Sequence, residues 1–228
     1  ASVADLQTRS SALQTVMQVA GSVGQGNDLA SLLGKVQSAF TTLLQDPSNG
    51  TQQQAVIGAA QSLAAGLNQQ SDTVQAARQA AQDGIVSGVA QLNADLARIG
   101  TLNQQIVSLR ATGQSGADLE AQRAAALQDV AGLVSIRSFD QPDGSVMVAT
   151  TSGTVLPTDP RMALATGAAT MDPANAAPPP ITLGGTDITA QLTGGSLGAN
   201  IALRDQVLPS MQAGLDEFAH TLATRFDD

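Results

Sequence analysis

One long stretch of helical periodicity constrains what this chain can fold into. Apolar residues recur at alternating steps of four and three from Val56 to Ala81, which is the seam of a heptad repeat. The phase slips near Gly84, and the pattern then resumes from Ile85 to Leu109. We therefore predict one helix over residues 51–111, on the order of 90 Å long at about 1.5 Å per residue. A helix of this length is typical of a rod and not of a compact globule.

Shorter helical patterns lie on both sides of this long helix. We predict helices over residues 4–20, from Asn27 or Asp28 as N-cap to Leu44, and over residues 118–130. The last of these follows a Gly-rich break and should run back antiparallel to the long helix. The apolar side chains are mostly Ala, Leu and Val, which pack well where helices lie close together.

Residues 134–197 have a different texture, rich in Thr, Gly and Pro. Alternating apolar and polar residues predict strands over residues 134–140, 145–150 and 154–156, with further short strands over residues 181–183 and 187–192. Asp143-Gly144 supplies the positive φ of a hairpin turn between the first two strands. The helical pattern returns at residue 198, and Pro209 should kink this last helix or break it.

The predicted fold class is therefore α+β, an elongated antiparallel helical bundle or rod with a small β-rich insert. We predict a helical rod domain over residues 1–133, a β-rich domain over 134–197, and a helix over 198–228 that returns to the rod. Each glycine inside the long helix costs up to about 1 kcal/mol against Ala. Neighbouring segments should approach closely there, or the helix should bend, at Gly58, Gly66, Gly84, Gly88 and Gly100.

Charge and composition exclude several functions. The net charge is −9, from 10 basic and 19 acidic residues, which argues against nucleic acid and against anionic membrane surfaces. No apolar run reaches the roughly 20 residues that span a bilayer. The absence of cysteine excludes disulfides and thiolate metal sites. With four Phe and neither Tyr nor Trp, any protein partner should be bound over a long surface.

One literal catalytic motif is present. Gly194-Gly-Ser196-Leu-Gly198 satisfies G-x-S-x-G, and Asp205 or Asp216 followed by His220 completes the order of an α/β hydrolase. In that fold whole βα units separate the serine from the histidine, whereas here one helix does. We interpret the segment as a flexible joint that enters a helix, and we expect no catalytic residue.

The other candidate sites also have plainer explanations. His220, the only histidine, could bind a metal with Asp216 and Glu217, but a lone histidine near a helix C-terminus more commonly interacts with the helix dipole. The carboxylate pairs Asp140/Asp143 and Asp227/Asp228 imply no pocket. We expect no cofactor-binding residue and no metal ligand, and the chain is predicted not to be an enzyme.

Six segments, in order along the chain, resemble the flagellar hook-associated protein 1 family. The helix from Asp28 to Ser48 ends in a similar "L…P-S", and the segments Val56–Leu63 and Ile85–Ile106 are similar to the family's helix that follows. Ala117–Arg123 resembles its "DLLDQRD", and Val134–Val148 the "V.V....DGSV.V" that follows. Gly194–Asp205, Leu208-Pro209 and Leu215–Phe226 resemble "GG.LGG...RD..LP" and the pattern beyond it.

This resemblance implies a non-catalytic subunit of the ring that joins hook to filament, extracellular on the bacterial flagellum. Implied partners are the hook protein, the second junction protein and further copies of the chain. The sequence resembles a core fragment without the terminal coiled-coil segments, so the isolated fragment should be monomeric and its type III export signals should lie outside it. The exposed face of the helical rod is the expected assembly surface. Alternatives are another flagellar axial protein, such as the second junction protein or flagellin, and a coiled-coil adhesin or needle-tip protein.

Overall fold

A computed structural model describes residues 2–20, 28–171 and 177–227. Its helices are α1 (Ser2–Ala20), α2 (Leu29–Leu43), α3 (Gly50–Ala111), α4 (Ala117–Leu133), α5 (Gly195–Ala202) and α6 (Leu208–Asp227). Its strands are β1 (Ile136–Asp140), β2 (Val146–Thr150), β3 (Val155–Leu156), β4 (Thr182–Leu183) and β5 (Thr186–Asp187). Among the described helices, none has the length and hydropathy that crossing a membrane requires.

The chain packs into two compact units. The first unit comprises Ala1–Ser10 and Gln79–Asp205, and the second comprises Ser11–Arg78 and Gln206–Asp228. The β-rich segment therefore shares a unit with the second part of α3. The domain boundaries predicted at residues 133 and 197 follow changes in composition and remain a prediction.

The predicted long helix is confirmed as α3, and the seam explains how it packs. Within the second unit the seam residues Val56, Leu63 and Val74 are buried, and Leu63 contacts Leu32 and Val36 of α2. Asp28 caps α2 as predicted, since its carboxylate accepts a bond from the Ser31 N–H. The alternative cap, Asn27, and the predicted break at 21–26 lie outside the described residues.

The core of the first unit is built on the later part of the same seam. Ile85, Val89, Leu92, Leu96 and Ile99 of α3 are all buried. They pack with Ala126 and Val130 of α4, Val148 of β2, Leu156 of β3 and Leu197 of α5. Because α4 pairs its residues with α3 in reverse order, the predicted antiparallel return helix is confirmed.

The β-rich segment forms two small antiparallel sheets. The first has the order β1-β2-β3, with Phe139 opposite Met147 and Ala149 opposite Val155. Its β1–β2 turn uses Gly144 at φ 90°, as the Asp-Gly pair predicts. The second sheet pairs β4 with β5. The prediction of a strand over residues 187–192 is wrong beyond Asp187. The Asp187 carboxylate accepts from both the N–H and the hydroxyl of Thr189, which starts a 3₁₀ turn there.

The last helix is interrupted as Pro209 predicts, and the interruption is a π-helical turn over Leu203–Val207 between α5 and α6. Proline lacks an N–H, so the turn before it cannot complete an α-helical bond, and a wider turn accommodates this defect. At the other end of α5, Gly195 has φ 64°, and an added Cβ would collide with the Leu133 carbonyl of α4. Only glycine satisfies both conditions.

Three glycines of α3 lie where other segments approach this helix within the first unit. A Cβ on Gly100 would collide with the carbonyl oxygen of Thr158, while Gly84 and Gly88 face Asn200 and Leu197 of α5. In the second unit Gly66 faces Leu32 of α2. The predicted close approaches are thus confirmed at these four positions. At Gly58 an added Cβ meets nothing within 4 Å, so no close approach accounts for that glycine.

Gly100→Ala is expected to lower the free energy of unfolding by about 1–3 kcal/mol, because backbone must shift to admit the methyl group. Gly58→Ala, in the same helix, should instead raise it by about 0.5–1 kcal/mol through helix propensity. Urea denaturation followed by circular dichroism measures both variants. Equal effects of the two substitutions would contradict the close approach of Thr158 to Gly100.

Candidate assembly surface

Amide side chains of α3 hold the β-rich segment through its backbone. We call Gln79, Gln82, Asn93 and Asn103 the amide row; at about 100° per residue they fall within roughly a third of the helix circumference. Asn93 donates to the Leu164 carbonyl at 2.8 Å and accepts from the Leu164 N–H at 2.9 Å. Gln79 likewise donates to the Ala169 carbonyl at 3.1 Å and accepts from the Met171 N–H at 2.7 Å. Each amide thus takes the place of a neighbouring strand.

Asn103 joins three elements at once. It donates to the Val146 carbonyl at 2.8 Å and accepts from the Val146 N–H at 3.0 Å, which fixes the start of β2 on α3. Arg123 of α4 is buried beside it and donates to both the Asn103 side-chain oxygen and the Gly144 carbonyl. The hairpin turn is therefore attached to both helices by hydrogen bonds that water cannot replace at low cost.

Arg204 forms a second buried centre, in the π-helical turn. Its side chain is 1% exposed, and its charge is balanced by two bonds to the Asp205 carboxylate, at 2.6 and 2.9 Å. It also donates to Gln82 of the amide row and to the Pro179 carbonyl. Gln82 in turn donates to the Gly167 carbonyl. This network holds the two ends of the loop that leads from β3 to β4.

The hairpin that these networks hold presents apolar side chains to solvent. Phe139, Met147 and Val155 are 45%, 37% and 49% exposed, and the strand register places them on one face of the sheet. We call these three residues the apolar sheet face. Beside it an open groove of about 900 Å³ separates α3 from residues 157–162. Asp159 and Arg161 form an exposed ion pair in this groove.

The residues of the G-x-S-x-G motif do not form the elbow of a hydrolase. Ser196 is the second residue of α5, and every strand pairing in the described residues is antiparallel, so no parallel sheet supports it. Asp205 is engaged by Arg204. His220 is exposed on α6, and Asp216 accepts a bond from Gln212. Asp143 caps its own turn through Ser145, which lowers the pKa of its carboxyl.

The remaining carboxylates add no metal site in the parts of the chain that the structure describes. No group of three His, Cys, Asp or Glu residues lies close enough there to hold an ion. Asp228 and the Asp227 side chain lie outside the described positions.

Sequence reasoning missed the amide row and its two arginines. The available signal was the placement of Asn and Gln beside the buried seam, since polar residues at such positions need partners. Gln82 and Asn103 flank the buried seam residues Ala81 and Leu102. This signal marks the donors, but it does not identify the distant backbone groups that they bind.

Comparison with known proteins gives a consistent result. Residues 13–228 match the family model described as the flagellar hook-associated protein FlgK helical domain. Among solved structures, the flagellar hook junction protein FlgK from Burkholderia pseudomallei is similar, with 25% sequence identity and a TM-score of 0.72. The match covers 93% of this chain and 40% of the length of that protein. No curated protein matches the chain.

Asn103→Ala should lower the free energy of unfolding by about 2–4 kcal/mol, because it strands the buried Val146 backbone groups and deprives Arg123 of a partner. Hydrogen exchange should show the Val146 amide losing protection. Thr101→Ala is the matched control: its exposed hydroxyl bonds only within α3, so we expect a change within about 0.5 kcal/mol. Undiminished protection of Val146 in Asn103→Ala would contradict the proposed attachment.

Asp159 should titrate with a pKa of about 2, below its ordinary 3.8, because the Arg161 side chain and N–H both donate to its carboxylate. Since the folded-state pKa is lowered, this contribution to stability is fully present above the unfolded pKa and is lost as pH falls from about 3.8 through about 2. Carboxyl-carbon NMR measures the midpoint, and Arg161→Ala should move it upward. A midpoint that ignores this substitution would contradict the assignment.

Proposed function

This chain belongs to the family of the flagellar hook-associated protein FlgK, and we propose that it is a structural subunit of the junction between flagellar hook and filament. The observation that carries this proposal is the family match over residues 13–228. The similar solved protein is itself described as a hook junction protein. Because the chain spans 40% of that protein, the proposal concerns the part that this chain contributes to the whole.

The role that we propose is mechanical and involves no catalysis. Copies of the protein form a ring at the distal end of the hook, outside the cell, and contact the hook protein, the second junction protein and one another. The heptad seam of the 62-residue helix α3 supports an elongated helical rod domain. The β-rich domain at residues 134–197 lies on that rod, and the exposed face of the helices is the main assembly surface. The isolated chain is a monomer at low concentration.

The bonding of the β-rich segment supports a load-bearing role. Asn93, Asn103 and Gln79 each bind both the N–H and the carbonyl side of backbone segments that are distant in sequence. Detaching the segment from α3 breaks several such bonds together, because the helix presents them as one rigid row. A subunit that transmits torque between two filaments needs its surface elements fixed in this way.

Electron microscopy of isolated hooks tests the proposal. Gold-labelled full-length protein containing this chain should bind only the distal ends of hooks that lack filaments, and hooks that already carry filaments are the matched control. The chain alone should bind weakly or not at all if segments beyond it drive assembly. Labelling along the hook shaft, no labelling by the full-length protein, or formation of discrete trimers would contradict a junction role, and trimers would favour the adhesin alternative.

A further inference from the structure

The aromatic residues of this chain are placed at its surface and not in its cores. The chain has four Phe and neither Tyr nor Trp. The structure describes the side chains of Phe40, Phe139 and Phe218, and none of them belongs to the buried core. Phe40 is 39% exposed and Phe139 is 45% exposed. Burial of an aromatic ring is strongly favourable, so a chain that exposes its few rings has reason to bury them against a partner.

The first of these surface sites is the apolar sheet face of the first unit. Phe139 stands at its centre, opposite Met147 across the β1–β2 ladder. Arg137 lies on the same face, and Asp140 follows Phe139 in the strand. Both charged side chains are exposed, and neither forms an ion pair with another described residue. At about 3.3 Å per residue, these opposite charges lie about 10 Å apart along the strand.

The second site is a groove in the second unit, between α2 and α6. Its volume is about 350 Å³, and Phe40, Phe218, Leu33, Val36 and Leu222 form its apolar lining. We call it the aromatic groove. Arg225 lies at one end of it, and Glu217 lies two turns earlier on the same stripe of α6. These two exposed side chains also form no ion pair with a described residue, and they lie about 12 Å apart along the helix.

We propose that the apolar sheet face of one copy docks into the aromatic groove of a second copy, with the Phe139 ring as the inserted side chain. In this arrangement Asp140 of the first copy meets Arg225 of the second, and Arg137 meets Glu217. The spacing of the two charges on the strand matches the spacing on the helix, and their order is complementary. The groove has room for one phenyl ring, which would complete a cluster with Phe40 and Phe218.

This contact rests on the proposed function, for which it names the surfaces. The two surfaces differ, so the contact is heterologous and leaves each copy with one free surface of each kind. Heterologous contacts generate closed rings when the rotation between copies closes, and open filaments when it does not. The face and the groove are each small, so a single contact is weak in solution. It becomes stable when many copies are held together.

Cross-linking between two variants tests the docking directly, because the chain has no cysteine of its own. Ser138→Cys places a thiol beside Phe139, and Thr221→Cys places one on the rim of the groove. When the two variants are mixed with a short bismaleimide, the mixed dimer should form much faster than either homodimer. Thr101→Cys in place of Thr221→Cys is the control for random collision, since Thr101 is exposed in the first unit.

Substitutions then test the roles of the side chains. Adding Phe139→Ala to the Ser138→Cys chain should slow formation of the mixed dimer about tenfold, whereas Met162→Ala, at an exposed residue outside the apolar sheet face, should not change it. Asp140→Arg or Arg225→Asp alone should slow the reaction. The two together, one in each chain, should restore it, and such rescue cannot arise from loss of folding.

Two results would overturn the proposal. The mixed dimer could form no faster than the Thr101→Cys control, or the Ser138→Cys chain could cross-link to itself as fast as to the groove variant. The second result would mean that the free edge of β1 pairs with its copy. Because no hooks are present, failure of this contact is separate from failure of the junction role, which the decoration of hooks measures independently.

Discussion

The pairing of helix amides with strand backbone is the interaction on which the first unit depends. Its sheets have three strands and two strands, and sheets this small are marginal without support from another element. The amide row of α3 provides that support, since Asn93, Asn103 and Gln79 each satisfy a backbone donor and a backbone acceptor. The apolar contacts with Ile85–Ile99 add burial energy, but the amides determine which residue lies where.

The buried arginines extend this attachment to the other helices. Arg123 carries the hairpin turn to α4, and Arg204 carries the loop near Pro179 to the π-helical turn. Both arginines belong to the segments that resemble the hook-associated family, as does the Asp143-Gly144 turn that Arg123 binds. In this chain those motif residues act as structural anchors for the β-rich segment, and the surface that could meet a partner lies on the opposite side of the hairpin.

The sequence predicts the elements of this protein better than it predicts their connections. The bounds of α3, the cap at Asp28 and the turn at Gly144 follow from local chemistry, and the structure agrees with each. The partners of the amide row could not be predicted, because Asn103 and Val146 are 43 residues apart and Asn93 and Leu164 are 71 apart. Periodicity contains no information on such pairs. For the same reason the aromatic groove was not foreseen, since its two walls come from α2 and α6, at opposite ends of the chain. The residues alone indicated a non-catalytic helical assembly protein, and the family came from resemblance.

The amide row also determines how the protein responds to its ionic surroundings. Amide-to-backbone bonds carry no net charge, so dissolved salt does not screen them and protons do not titrate them. The charges that take part, on Arg123 and Arg204, are buried and therefore screened much less than surface charges. The β-rich segment should thus stay attached to α3 in fresh water and in brine alike, while contacts through exposed charges such as Arg161 and Asp159 weaken as salt rises.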